Sequence, residues 1–300
     1  MTLPRKSLKQ QVVAKIREST LKELKLAIHK QRPSLWGYDK RRSFEYDCLL
    51  IALYHDLEGV GYNKIEKEIK SWRPLVGKSL RHNTKAIRQS LSTWSDEQLS
   101  LGDQHDWNQA AKNLSISEAE EGVNLWIDSS DFRKTQPEKH SKKSPEHSFK
   151  ENHYANRFTC ISDAKQRVRI LYGPYSPKVD DNAFVSLMKD RMESTMDGAV
   201  IIGDCGYEVV AKQFKKIKMI TTKSKPRGKK PKNGEGVTKL TKQQKTRNRQ
   251  LKQLRSRIES PFGNVKAKWK ALSNCFSEGD EQHGLLVRLA LAIKNFEKKN

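Results

Sequence analysis

At 300 residues the chain can hold one large domain or two modest ones, each with its own core. Its 59 Lys and Arg against 35 Asp and Glu give a formal charge of +24, which predicts a polyanionic partner, nucleic acid ahead of an anionic membrane. The longest apolar stretches, such as Cys48–Tyr54, fall far short of the roughly 20 residues of a membrane span, and MTLPRKSLKQ lacks the apolar core of a signal peptide, so a soluble, intracellular protein without a membrane partner is expected.

Residues 1–43 carry 12 Lys or Arg against Glu18, Glu23 and Asp39. They read as a basic arm, helical over Val12–Lys30 and able to lie along phosphates, with a disordered tail as the equal alternative. Over 44–95 the pattern changes to short amphipathic helices. Leu49, Leu50, Leu53 and Tyr54 mark the first, and Ile65, Ile69 and Trp72 mark the second. A turn at Arg73–Gly77 follows from Pro74, which cannot continue a helix. The third helix buries Leu80, Ile87, Leu91 and Trp94 and leaves Lys78, Arg81, His82, Lys85 and Arg88 outside. Three helices with a basic last one form a helix-turn-helix pattern whose final helix would enter a major groove. Plain packing of a small bundle gives the same spacing; the exposed basic residues favour DNA.

Residues 96–122 are polar, acidic at Glu118, Glu120 and Glu121, and read as a helical connector. Strands are expected at Val123–Ile127, at Arg157–Ser162 and Gln166–Tyr172 as a hairpin, at Ala199–Gly203 and at Ile217–Thr222, with a helix over Asp180–Glu193. A hairpin followed by strand-helix alternation predicts an α/β domain over 123–300, a mixed sheet flanked by helices. Lys223–Asn233 has no periodicity and reads as a mobile loop, containing Lys229 and Lys230. From Lys223 to Arg257 there are 14 Lys or Arg and one acid, Glu235, which suits a phosphate-binding surface, a nuclear-import signal or both. A long helix is then expected from about Thr241 to Leu272, striped by Leu251, Leu254, Ile258, Phe262, Val265, Trp269 and Leu272.

Asp128 and Asp204 each stand where an expected strand ends, in Trp126-Ile127-Asp128-Ser129-Ser130 and Ile201-Ile202-Gly203-Asp204-Cys205-Gly206-Tyr207. Two such carboxylates can share Mg²⁺, a hard cation that keeps positions open for phosphate and water. Glu259, next to Ile258, borders the core side of the long helix, with Arg255 one turn earlier able to pair with it or with phosphate. Phosphodiester cleavage by two metals needs one ion to activate the attacking oxygen and another to stabilise the leaving oxygen, and neither His nor Cys is required. A strand-end Asp taken alone is more often a cap or turn residue, and Asp131 is a weaker candidate for the first acid. Cys48, Cys160, Cys205 and Cys275 lie far apart without CxxC or zinc spacing and read as buried thiols.

Four ordered stretches carry a family resemblance: Ile127-Asp128-Ser129-Ser130, Leu171-Tyr172-Gly173-Pro174-Tyr175-Ser176-Pro177-Lys178-Val179-Asp180-Asp181, Gly203-Asp204-Cys205-Gly206-Tyr207, and Leu240-Thr241, Asn248, Arg255, Arg257-Ile258-Glu259, Phe262-Gly263, Lys266 and Leu272. Together they make the segment from about Leu125 to Leu272 similar to the DDE endonuclease domain of Harbinger-type transposases and their insertion-sequence relatives. The resemblance implies an RNase H-like fold, with Asp128, Asp204 and Glu259 as catalytic metal ligands and Mg²⁺ or Mn²⁺ as cofactor, in two ions. Asp180 stands where the family commonly has His, and Asp181 matches its acidic position; Asp181 is read as capping the following helix, outside the catalytic set. Pro261, two residues after Glu259, predicts a kink or local opening of the helix.

The expected protein is a transposase. Its helix-turn-helix would hold transposon ends, and its DDE domain would hydrolyse a phosphodiester and use the freed 3′ hydroxyl to attack target DNA. Lys150, Arg157, Lys229 and Lys230 would hold the backbone of double-stranded DNA, and the resemblance implies a homo-oligomer. The alternatives are a domesticated, catalytically inactive DNA-binding protein and a basic RNA-binding structural protein. A nuclear location is expected for a eukaryotic copy, and cytoplasm or nucleoid for a bacterial one.

Overall fold

Six strands form one mixed sheet: β1 (Leu125–Arg133), β2 (His147–Ser148), β3 (His153–Asp163), β4 (Val168–Tyr175), β5 (Val200–Gly203) and β6 (Lys218–Thr221). In the computed structural model, residues 5–31, 42–69, 78–100, 102, 104–112, 122–138, 141–223, 240–256 and 261–299 are described. The strand order is β2-β3-β1-β5-β6, with β4 also paired to β3. β1 and β4 run antiparallel to β3, whereas β5 runs parallel to β1 and to β6. The crossover from β4 to β5 is α8 (Asp181–Thr195), as a parallel return requires. The result is an α/β fold consistent with an RNase H-like DDE domain.

Strand alternation sends β1 side chains to two cores. Leu125 and Ile127 join Ile161, Ile201 and Tyr207 beneath Val185 and Met192 of α8. Trp126, on the opposite face, joins Ile202 and Ile220 beneath Leu251 and Leu254 of α9 (Lys242–Ser256). β1 extends well beyond the expected end at Ile127, so Asp128 is a mid-strand residue rather than an exit residue. The polar stretch continues the strand because β3 is long enough to pair with it. Ser129 faces Thr159 and Asp131 faces Arg157, so both side chains find partners across the ladder.

The N-terminal region is helical: α1 (Arg5–Val13), α2 (Glu18–Gln31), α3 (Arg42–Glu58), α4 (Tyr62–Glu68), α5 (Lys78–Ser90), α6 (Ser92–Gln98) and α7 (Gln104–Lys112). The C-terminal part holds α10 (Pro261–Lys268), α11 (Lys270–Ser273) and α12 (Asp280–Lys299). One large core joins these two ends of the chain. Leu8, Val12 and Leu24 are packed in the same cluster as Leu50, Ile87, Phe262, Leu286 and Ile293, together with Phe132 and Phe158 from the sheet. The segment expected as a basic arm thus forms two helices whose apolar faces are buried.

Three local expectations are corrected. The last helix of the expected trio divides at Leu91 into α5 and α6. The single long helix ending at Leu272 is broken at Trp269, whose extended backbone (φ −104, ψ 96) separates α10 from α11. Its stripe is continuous in sequence but serves two cores, Leu251 and Leu254 in one, Phe262, Val265, Trp269 and Leu272 in the other. Of the four cysteines expected as buried, Cys205 and Cys275 are exposed. The turn at Arg73–Gly77, the basic loop with Lys229 and Lys230, and Glu259 lie outside the described residues. Among the described residues no helix is long and apolar enough to cross a membrane.

Candidate active site

Asp204 directly follows β5, where its Oδ1 accepts a hydrogen bond from the Gly206 amide at 2.7 Å and caps a single 3-10 turn, Cys205–Tyr207. This fixes the carboxylate at the end of a buried strand. Asp128 lies on the neighbouring strand β1, two positions beyond the residue that pairs with Ile202 of β5.

The third acid to arrive is Asp181, in the first turn of α8. The capping expected of Asp181 is performed by Asp180, whose Oδ1 accepts from the Ala183 amide at 2.8 Å. The Asp181 carboxylate lies beside Asp204. An added Cβ at Gly206 would meet Asp204 Oδ1 at 2.8 Å and Asp181 Oδ2 at 3.2 Å, so the two carboxylates flank that glycine. Burial pushes the Asp181 carboxyl above its ordinary range; Arg157 and the Ser129 hydroxyl pull it down, and the charges of Asp204 and Asp128 push it up again. Its Oδ1 accepts no hydrogen bond and lies 3.8 Å from Arg157 Nη1.

The charges of all three aspartates oppose ionisation of one phenol. Tyr207 is buried, and its phenol is pushed well above its usual range by burial and by the charges of Asp181, Asp128 and Asp204, against a hydrogen bond with Ser129. From Tyr207 a chain of hydroxyls crosses the floor of the site, Tyr207 to Ser129 at 2.8 Å, Ser129 to Thr159 at 2.6 Å and Thr159 to Tyr175 at 2.5 Å. Tyr175 is pushed up to about 12, chiefly by burial. Both phenols therefore stay neutral and take part as hydroxyls in a fixed network.

Asp131, the weaker first-acid candidate, is excluded from this group by its partners. It is fully buried, takes both Arg157 Nε (2.6 Å) and Nη2 (3.0 Å), and accepts from Ser148 Oγ at 2.5 Å. Arg157 in turn donates to the Val179 carbonyl at 3.0 Å. The residue expected to grip phosphate is thus a half-buried brace that ties β1 and β3 to the loop before α8.

The other basic candidates separate by exposure. Arg81 is exposed over the Tyr62 ring, Lys85 is half-buried, Lys150 is exposed, and Arg255 is half-buried in the last turn of α9. Of Lys78 the structure describes only its place as the first residue of α5. The expectation that Arg88 faces outward is corrected: its side chain is fully buried, because two carboxylates receive it. Nε donates to Asp56 at 3.1 Å, Nη2 also binds Asp56, and Nη1 reaches Glu278 at 2.6 Å. Burial works against the charge on both sides of this cluster, but Arg88 and hydrogen bonds from His55 and Arg88 hold the Asp56 carboxyl below its ordinary range.

Among the described residues, no three His, Cys, Asp or Glu side chains form a group that could hold a metal ion unaided. The donor chemistry nonetheless fits a hard divalent cation. Like charges meet at a partly buried point, one carboxylate oxygen accepts no hydrogen bond, and a glycine occupies the place where any side chain would intrude. A cation would relieve all of this. Carboxylates at the ends and middles of adjoining strands of a mixed sheet are suited to metal-assisted phosphoryl transfer.

Residues 121–293, more than half of the chain, match the transposase DDE domain family, and the chain belongs to that family. Membership implies DNA as substrate and partner, transposition and recombination as the process, and a nuclease that generally uses divalent metal. Neither the curated proteins nor the solved structures contain a match to it.

Proposed function

We propose that this protein is an active DDE transposase that cleaves a phosphodiester bond of double-stranded DNA at transposon ends and joins the freed 3′ hydroxyl to target DNA. Within the family, its ordered motifs read as Harbinger-type or as those of insertion-sequence relatives. Asp128, Asp204 and Glu259 hold the metal, with Asp181 beside Asp204. Mg²⁺ or Mn²⁺, as two ions, supplies activation of the attacking oxygen and stabilisation of the leaving oxygen. The Gly206 amide fixes Asp204, the Tyr207–Ser129–Thr159–Tyr175 hydroxyls tie the turn after Asp204 to β1, β3 and β4, and Arg157 keeps the loop before Asp181 in place. Arg81, Lys85, Lys150, Lys229, Lys230 and Arg255 contact DNA phosphates, with affinity that weakens as salt rises. The helix-turn-helix reading of 44–95, a homo-oligomeric assembly and a nuclear location in a eukaryotic host complete the proposal.

The observation that carries this reading is the placement of Asp204 beside Asp181 at Gly206, with Asp128 on the neighbouring strand, inside the family match. Incubating labelled duplex DNA with the protein, with and without Mg²⁺ or Mn²⁺, beside Asp204→Asn, tests it. Metal-dependent cleavage by the wild type alone is expected. Identical behaviour of the two proteins would leave a DNA-binding protein without catalysis.

A further inference from the structure

Resting on the proposed DNA substrate, we infer that Phe149 is a stacking platform for an unpaired nucleobase at the rim of the acid site. Phe149 lies in the turn between β2 and β3 and is 75% exposed, unusual for a ring of its size. The turn is closed by Asn152 in a left-handed conformation (φ 48), which Asn tolerates. The ring is not loose. Lys178 Nζ lies 5.4 Å from its centroid and His147 packs edge-on at 5.6 Å, so the side chain is supported while most of it stays open to solvent.

Charge around it selects the occupant. Lys142, Lys143, Lys150 and Lys178 are all exposed, and none is paired with a carboxylate among the described residues. The two acids of this loop are committed elsewhere, Glu146 to Lys134 at 2.9 Å and Glu151 to Arg133 at 2.9 Å. An exposed aromatic ring among unpaired lysines suits a base stacked on the ring with its phosphates among the ammonium groups. An apolar protein partner would leave those charges buried and unpaired.

Two connections lead from the platform to the acids. Ser148, next to Phe149, donates to Asp131, which is paired with Arg157, which lies 3.8 Å from Asp181. Lys178, over the ring, stands three residues before Asp181 on the loop that Arg157 braces at Val179. The turn that carries Phe149 and the loop that leads to Asp181 are therefore tied together through Asp131 and Arg157. Duplex DNA keeps its bases paired inward, so the occupant is a base released at a frayed or cut end.

The test uses the full chain and two DNAs of equal length, one fully paired and one forked, with 2-aminopurine at the first unpaired position. Wild type is expected to bind the fork about tenfold more tightly and to quench the probe. Phe149→Ala is expected to lose the preference and the quenching while keeping its affinity for the paired duplex, and Phe149→Trp to retain both. A preference for the fork that survives in Phe149→Ala overturns the inference, as does equal binding of both DNAs by wild type; in either case the transposase reading stands. Failure of wild type to bind either DNA removes both. A change of molecular mass in Phe149→Ala, measured by light scattering, would assign the ring to contact between copies and would also overturn it.

Discussion

Asp181 and Asp204 face each other across Gly206, with less room between them than one methyl group needs: a Cβ there would stand 3.2 Å from one carboxylate and 2.8 Å from the other. Gly206→Ala must displace at least one of them. Cleavage is expected to fall roughly 10- to 100-fold, as displacements near 1 Å can cause, with the melting temperature nearly unchanged. Wild-type activity in this variant would mean that neither carboxylate position matters.

Asp181 carries its charge against burial and against two neighbouring aspartates, so in metal-free protein at neutral pH it opposes folding. Asp181→Asn is expected to raise the metal-free melting temperature, by about 2 °C, and to shrink the further rise produced by Mn²⁺. Thermal melts with and without Mn²⁺ check both. An unchanged Mn²⁺ response would place Asp181 outside the metal site.

Arg88 joins Asp56 of α3 to Glu278, just before α12, and so ties the N-terminal helices to the last helix of the chain. Arg88→Ala leaves two buried carboxylates without their cation. A loss of about 3–5 kcal/mol in denaturant unfolding is expected, and a loss below 1 kcal/mol would contradict the buried placement.

The parts of the fold that were legible in the sequence are those where one periodicity serves one core. The hairpin, β5, β6 and α8 follow from apolar runs bounded by turn residues, and Asp204 from its place after β5. The length of β1 was hidden because Ser129, Ser130 and Asp131 are polar; only β3, with Thr159 and Arg157 opposite, explains why they stay extended. The sequence marks Asp181 only as a helix cap, because one helix start has one N-cap and two adjacent aspartates do not reveal which of them takes it. Arg88 looked like a surface cation because Glu278, which it binds, is 190 residues away in sequence. The helix α12 buries Leu286, Val287, Leu289, Ala290, Leu291, Ala292 and Ile293, a run of apolar residues too continuous to assign to one core from spacing alone.

His283 of α12 is stacked on Phe276 at 4.7 Å and accepts from Asn156 Nδ2 at 3.2 Å, which requires a neutral ring. Burial drives its pKa from the ordinary 6.5 to about 3. Between these values the unfolded chain binds the proton and the folded chain does not, so this contribution to stability is complete above pH 6.5 and is lost as pH falls toward 3. The slope is at most about 1.4 kcal/mol per pH unit. Denaturant midpoints across pH 4 to 7, spanning roughly the titration range of ordinary His, are expected to flatten in His283→Leu. An equal slope in both proteins would assign the acid sensitivity to other groups.

The most direct measurement is Mn²⁺-dependent nicking of supercoiled plasmid by wild type, Asp128→Asn, Asp204→Asn and, as a control on the exposed side of α8, Asp190→Asn. Nicking is expected from wild type and Asp190→Asn, with a loss of at least 100-fold, on the order of 2.7 kcal/mol of barrier, in the other two. Equal nicking by all four proteins, or none by wild type, would contradict the assignment of Asp128 and Asp204 to DNA cleavage.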